Sequence, residues 1–211
     1  MKIYAIDQSL NGFAHCLLED GESKLLETID TKNLDGWPRI KKIVDRVIEV
    51  IMGWKPDVIA MEDYAFTART NTMTQIAELC GIIKYEIFQL GFEETREALK
   101  RGTDAFVVQT VSQMKKFNLG NGAMKKDSRY LLEVFQRIKQ SFADDNQADA
   151  YMHAWLCSII VGVVQGKVPV GNLTSYQQEA LMSCGVKKQK GLSMAKAMKL
   201  PDDQKLKYVG W

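Results

Sequence analysis

Histidine is scarce in this chain: two in 211 residues, His15 and His153. That leaves little room for histidine-based catalysis or histidine-rich metal sites. None of the patterns H-E-x-x-H, G-x-S-x-G or G-x-x-x-x-G-K-[ST] occurs, so zincin, serine-hydrolase and P-loop chemistries find no support. Cysteine is sparse too. Cys16, Cys80, Cys157 and Cys184 are scattered, with no C-x-x-C pair, and the first three lie in apolar runs. Reduced, buried thiols are expected rather than a disulfide framework. Neither sign of charge dominates. Lys plus Arg number 28 and Asp plus Glu 26, a net charge of +2, with a pI near 8.2. Such a balance does not announce nucleic-acid binding, so the distribution of charge must decide. No internal repeat and no signal peptide is visible. The longest apolar stretch, around Ala154 to Val164, is too short to span a bilayer. The expectation is a cytoplasmic protein with no membrane partner.

Against these absences stands an ordinary supply of core-forming residues. Hydrophobic residues make up 46% of the chain and charged ones 26%, as in a soluble globular domain. Three strands open the sequence, over 2–8, 12–19 and 23–29, with Asn11-Gly12 marking a hairpin turn. Ile40, Ile43, Val44, Val47, Ile48 and Ile51 recur at helical spacing, which predicts an amphipathic helix over 37–54. Pro38 suits its first turn. The short apolar run Asp57-Val58-Ile59-Ala60-Met61 suits a central strand. A second helix is predicted over 71–90, a fifth strand over 105–109, and helices over 125–138 and 147–164. Strands joined by hairpins are antiparallel, and those reached through helical crossovers should be parallel to the first. The pattern predicts an α/β fold: a mixed five-stranded sheet with helices on both faces. Residues 1–168 would form this domain. From Pro169 onward the composition shifts, and 169–211 reads as a basic C-terminal extension.

The acids fall at chemically suggestive places. Asp7 ends the first strand, where a buried carboxylate is costly unless paired, hydrogen-bonded or bound to a metal. Glu62 ends the strand over 57–61. If those strands are parallel neighbours, both carboxylates emerge at one sheet edge. A third cluster, Asp144-Asp145-Asn146-Gln147-Ala148-Asp149, starts the last long helix. Asp144 or Asp145 can cap it, and Asp149 shares a face with Asp145 or Asn146. Singly, Asp7 could be a turn cap and the cluster an ordinary acidic helix start. Jointly, oxygen ligands on three elements suit hard cations such as Mg²⁺ or Mn²⁺. Two such ions about 3.5–4 Å apart can clamp an in-line phosphoryl displacement. His153, one helical turn beyond Asp149, lies within reach of such a site.

Basic residues collect between these acids. From Ala105 to Lys126 there is no acid but there are four lysines: Lys115, Lys116, Lys125 and Lys126. Lysines around a glycine-containing loop at a helix start suit a phosphate backbone, though a solvated charged loop would look the same. Lys187, Lys188, Lys190, Lys196 and Lys199 form a second patch in the extension. After Glu62 come Tyr64, Phe66 and Arg69, suited either to stacking on nucleic-acid bases or to packing beside the helix.

Four pieces, in order along the chain, resemble the RuvC family of Holliday-junction resolvases. They are Ala5-Ile6-Asp7-Gln8-Ser9-Leu10-Asn11-Gly12-Phe13-Ala14, Ala60-Met61-Glu62-Asp63-Tyr64, Gln147-Ala148-Asp149-Ala150, and the segment from Val111 to Phe117 followed by Gly120 to Lys126. The resemblance covers roughly residues 1–165. It implies a ribonuclease-H-like fold and a structure-selective endodeoxyribonuclease acting on branched DNA as a homodimer. It further implies a metal site of four acids, with Mg²⁺ as cofactor and Mn²⁺ able to substitute, leaving 5′-phosphate and 3′-hydroxyl ends. Carried over by position, Asp7, Glu62 and Asp149 match family acids. The family's remaining acid or histidine falls at Asn146, so the third ligand is Asp145 or Asn146. Lys115, Lys116, Lys125, Lys126, Tyr64, Phe66 and Arg69 are the candidates for DNA contact. The length and divergent tail look more like phage-encoded members, which would place the protein in the host cytoplasm. Three alternatives stay open: a catalytically silent DNA-structure-binding protein, a nuclease for forks or flaps, and an actin-type ATPase. The last would need a second glycine-rich phosphate loop, and none is found.

Overall fold

The computed structural model describes residues 1–63 and 71–183. Strands β1 (Lys2–Asp7), β2 (Ala14–Glu19) and β3 (Glu22–Thr28) are followed by α1 (Gly36–Trp54), β4 (Val58–Glu62) and α2 (Asn71–Gln89). Then come α3 (Arg96–Arg101), β5 (Ala105–Gln109), α4 (Val111–Leu119), α5 (Tyr130–Ile138) and α6 (Asp145–Val164), with a 3₁₀ turn and α7 (Ser175–Ser183) last. The five strands form one sheet in the order β3-β2-β1-β4-β5. β1 pairs antiparallel with β2, and β2 with β3. β1 pairs parallel with β4, and β4 with β5. The expected mixed sheet is therefore present, with its parallel half built through helical crossovers.

Side-chain alternation along β1 sets the two layers, because successive residues of a strand point to opposite faces. Ile3 and Ala5 join a core formed with α3, α4, α5, α6 and α7. Tyr4 and Ile6 join a second core formed with α1 and α2, where Ile43, Val47, Leu79 and Ile83 are fully enclosed. Both faces of the central strands are thus covered, which is why β4 reads as an unbroken apolar run. One polar chain crosses this packing. The Tyr4 hydroxyl lies 2.6 Å from Nδ1 of His15, whose Nε2 is 2.8 Å from Glu27 Oε1. Arg46 Nε reaches the same oxygen at 2.6 Å. His15 is completely buried, so each ring nitrogen has the partner that burial demands. Cys16, Cys80 and Cys157 are free and buried, as expected; Cys184 lies outside the described residues.

Several element boundaries differ from the sequence expectation. The β1–β2 connection is six residues rather than the three left between the expected strands: β1 stops at Asp7 and β2 starts at Ala14. Ser9 Oγ accepts from the backbone N–H groups of Asn11 and Gly12 at 3.3 and 3.1 Å, which shapes the loop. The helix expected over 125–138 starts at Tyr130, leaving Lys125 and Lys126 in the preceding loop. Three helices had no counterpart in the periodicity reading: α3, α4 and α7. α4 carries a legible signal in Thr110 and Gln113, which form a reciprocal capping box. α7 packs on α4, and its Ala180 and Leu181 join the larger core. α6 reaches back to Asp145, two residues before the start expected from the sequence. At 20 residues it is long and apolar enough to cross a membrane, yet most of it is enclosed against the sheet.

Candidate active site

Parallel pairing of β1 with β4, in register Ile6 to Met61, brings Asp7 and Glu62 to the same end of neighbouring strands. Both are buried, at 4% and 8% exposure. Burial first, then the hydrogen bond and charge of Glu62, push the Asp7 carboxyl well above its ordinary value of 3.8. Burial also raises Glu62, and the Asp149 charge adds to it. Oδ2 of Asp7 is enclosed and has no hydrogen-bond partner. Two like charges held together with an oxygen left over create a demand for a cation.

α6 delivers the third group. Asp144 caps the helix, accepting from the Gln147 N–H at 2.7 Å through one oxygen and from the Thr28 hydroxyl at 2.8 Å through the other. That pair ties the helix start to β3 and settles which acid is the cap. Asp145 is left for the site. Asp149, one turn on, is 2% exposed. Its Oδ1 accepts from the Tyr130 hydroxyl, and its Oδ2 lies 2.9 Å from Lys126 Nζ. The same ammonium is 3.2 Å from Asp145 Oδ2 and 3.4 Å from Asn146 Oδ1. Burial works against the Lys126 charge, but Asp149, Asp7 and Asp145 outweigh it and hold its pKa above the ordinary lysine value. Asn146 packs on the β1–β2 loop: a β-carbon at Gly12 would stand 2.3 Å from its Nδ2.

The four lysines divide. Lys126 enters the acidic cluster. Lys115 is enclosed, donating to the Met124 carbonyl at 2.9 Å with its ammonium 4.9 Å from the Tyr130 ring centroid. Burial lowers its pKa. Lys116 turns away to pair with Glu179 of α7. Lys125 is exposed and lines a cleft of about 330 Å³ with Arg129, Tyr130 and Met124. Tyr64, Phe66 and Arg69 lie outside the described residues. His153 is fully buried, its Nδ1 2.8 Å from the Gln109 side chain. Burial pushes it down to about 3, so it is a neutral core residue rather than a base open to substrate.

Sequence reasoning missed two participants. Tyr130, which holds Asp149, carried no signal beyond being an aromatic after a charged loop. Gln8, next to Asp7, donates to the Glu62 backbone carbonyl at 2.8 Å and accepts from the Cys80 thiol at 2.6 Å. It locks the two strand ends together, a role that only the parallel pairing makes visible.

The donor set fits a hard divalent cation. It is all oxygen, it comes from three elements, it includes an orphaned buried carboxylate oxygen, and an ammonium stands among its members. No three acidic, histidine or cysteine side chains among the described residues enclose a common point as they stand; Lys126 spreads between Asp145 and Asp149 instead.

Comparison with known proteins agrees with this architecture. The crossover junction endodeoxyribonuclease RuvC of Pseudothermotoga lettingae is 28% identical over 118 residues, which are 56% of this chain and 65% of that protein. The match thus spans just under two thirds of the relative's length. Among solved structures, a Thermus thermophilus RuvC structure superposes with a TM-score of 0.56 at 19% identity, covering 79% of this chain and 98% of that one. T. thermophilus RuvC in complex with Holliday junction substrate gives a TM-score of 0.58 at 19% identity, covering 79% and 97%. No family model matches the chain. The resemblance read from the motifs therefore holds in sequence, and the fold is that of RuvC.

Proposed function

We propose that this RuvC-like chain is a metal-dependent endonuclease that resolves four-way DNA junctions. What supports the reading is that Asp7 and Glu62 end parallel β1 and β4 at the same side, with Asp149 of α6 acting on both and one Asp7 oxygen buried and unpartnered. Asp7, Glu62, Asp145 and Asp149, with Asn146 beside Asp145, would hold the cation. Bound Mg²⁺, or Mn²⁺ in its place, supplies Lewis-acid activation of water and neutralises charge at the phosphorus. The chain's own residues position the site. Gln8 fixes the Glu62 strand end, Tyr130 fixes Asp149, and Gly12 admits the Asn146 side chain. Lys125 and Arg129, exposed beside the cleft, meet the DNA backbone, and each phosphate they neutralise steepens the salt dependence of binding. In-line attack then leaves a 5′-phosphate and a 3′-hydroxyl. A homodimer would place two such sites on opposite arms.

A second reading, junction binding without cleavage, draws on Asn146 standing where the family carries an acid or histidine. The deciding experiment uses the purified protein, a synthetic four-way junction, a matched linear duplex and Mg²⁺, with wild type beside Asp7→Asn on a denaturing gel. Paired nicks in opposite arms, absent from the duplex and from the variant, are expected. Binding without nicks in either Mg²⁺ or Mn²⁺ would overturn the catalytic reading in favour of the second.

A further inference from the structure

Lys126 belongs to no helix or strand. It sits in the loop between α4 and α5, yet its ammonium bridges both acids of α6, 2.9 Å from Asp149 and 3.2 Å from Asp145. It also contacts the Asn146 side-chain oxygen at 3.4 Å. Asp149 can reach no solvent to speak of, so the ammonium is its principal counter-charge. A third of the Lys126 side chain remains exposed, so it has a way out of the cluster. Lysine is a compact point charge on a flexible four-carbon stem and binds phosphate readily. Its exit needs side-chain rotation only, since the loop backbone around it has no ladder to break. Close beside it is an open cleft of about 330 Å³ lined by Lys125 and Arg129 together with the acids Asp127 and Glu133, Asp127 lying 3.4 Å from the Arg129 guanidinium.

We propose that Lys126 is a resident counter-ion that makes metal loading conditional on substrate. This rests on the metal-dependent reading above. In the free protein the ammonium holds the α6 carboxylates together and competes with a divalent ion for them. A ligand dication and the ammonium repel each other at such range and cannot share the same two carboxylates. When a DNA phosphate enters the cleft it draws the ammonium off, and the vacated carboxylates take up the ion. By linkage, metal then tightens DNA binding by the same factor. Such an arrangement keeps the hydrolytic site unloaded until DNA is present.

The test measures Mn²⁺ binding by the loss of the free-ion electron paramagnetic resonance signal. Wild type, Lys126→Met, Lys126→Arg and Asp7→Asn are each titrated without DNA and with a four-way junction, with ion uptake by the junction alone subtracted. Without DNA, Lys126→Met should bind Mn²⁺ about tenfold or more tighter than wild type, within the usual range of coupled sites. Lys126→Arg, which keeps the charge, should stay weak. The junction should tighten Mn²⁺ binding to wild type by a similar factor and change Lys126→Met little. If Lys126→Met melts below the assay temperature, wild type with and without junction decides alone. Mn²⁺ binding that Asp7→Asn abolishes, but that neither Lys126→Met nor the junction strengthens, overturns the exchange and leaves the nuclease reading standing. No difference in Mn²⁺ uptake between wild type and Asp7→Asn, with or without junction, removes the metal site itself and both proposals with it.

Discussion

Asp7 and Glu62 end parallel neighbours one residue beyond the Ile6–Met61 pair, and their carboxyls share one buried space at the sheet edge. Neither could be placed there without the other's strand. The pairing has a direct consequence for stability.

Burial raises both carboxyls above their ordinary values of 3.8 and 4.5; the hydrogen bond and charge of Glu62 add to it at Asp7, and the Asp149 charge adds to it at Glu62, against a lowering hydrogen bond from Asp7. In the unfolded chain they titrate near those values. Between the unfolded and folded values the native state holds more protons than the unfolded one, so stability falls as pH rises. In the absence of divalent ions, the urea midpoint should decline from about pH 4 upward. Asp7→Asn removes one charge and should flatten the decline, leaving the variant with a higher urea midpoint than wild type at pH 7. The same variant should be inactive on junctions. A wild-type midpoint flat across this range, or a less stable variant, would contradict the assignment.

Much of this site was legible because strand and helix periods are regular. Asp7 and Glu62 each follow an apolar run, and run ends in a parallel sheet face the same way. Asp145 and Asp149 are four apart, so helical geometry alone puts them on one face. The choice between Asp144 and Asp145 as cap was not legible. It turns on Thr28, more than a hundred residues away in sequence, donating to Asp144. Lys126 could not be placed among the acids either. Four lysines within twelve residues look alike in sequence, and only the fold sends one to Asp149, one to the Tyr130 ring, one to Glu179 and one to solvent. α4 was legible in principle, through its capping box. α7 was not, because its apolar positions are few and make sense only against α4.

Tyr130 gives the second prediction. Its hydroxyl donates to Oδ1 of Asp149, and burial together with the Asp149 charge raises its own pKa, keeping it a donor at all working pH values. Tyr130→Phe keeps the ring that Lys115 faces but leaves a buried carboxylate oxygen without its donor. Loss of a hydrogen bond to a charged group should cost about 1.5–3 kcal/mol. Chemical denaturation should show that loss with an unchanged far-ultraviolet spectrum. Junction cleavage should fall while junction binding holds, because Asp149 would be present but loosely aimed. Unchanged stability would mean the hydroxyl does not hold the carboxylate.

Gly12 gives the third. Its backbone dihedral does not demand glycine, but its surroundings do. A β-carbon there would meet Asn146 Nδ2 at 2.3 Å and Cγ at 3.0 Å. Asn146 is half-buried and follows Asp145 in the first turn of α6, so either its amide must turn aside from the Lys126 contact or the helix start that carries Asp145 must shift. Gly12→Ala should therefore destabilise the protein by about 1–3 kcal/mol, as overpacking does, and weaken cleavage through displacement of Asp145. Asn146→Ala removes the obstructing amide. In that background the cost of Gly12→Ala should vanish, and the two substitutions should couple by at least about 0.5 kcal/mol in a double-mutant cycle. Strictly additive effects would show that the loop and the helix start do not press on each other. Coupling in stability without coupling in cleavage would confine the contact to folding and detach Asn146 from the site.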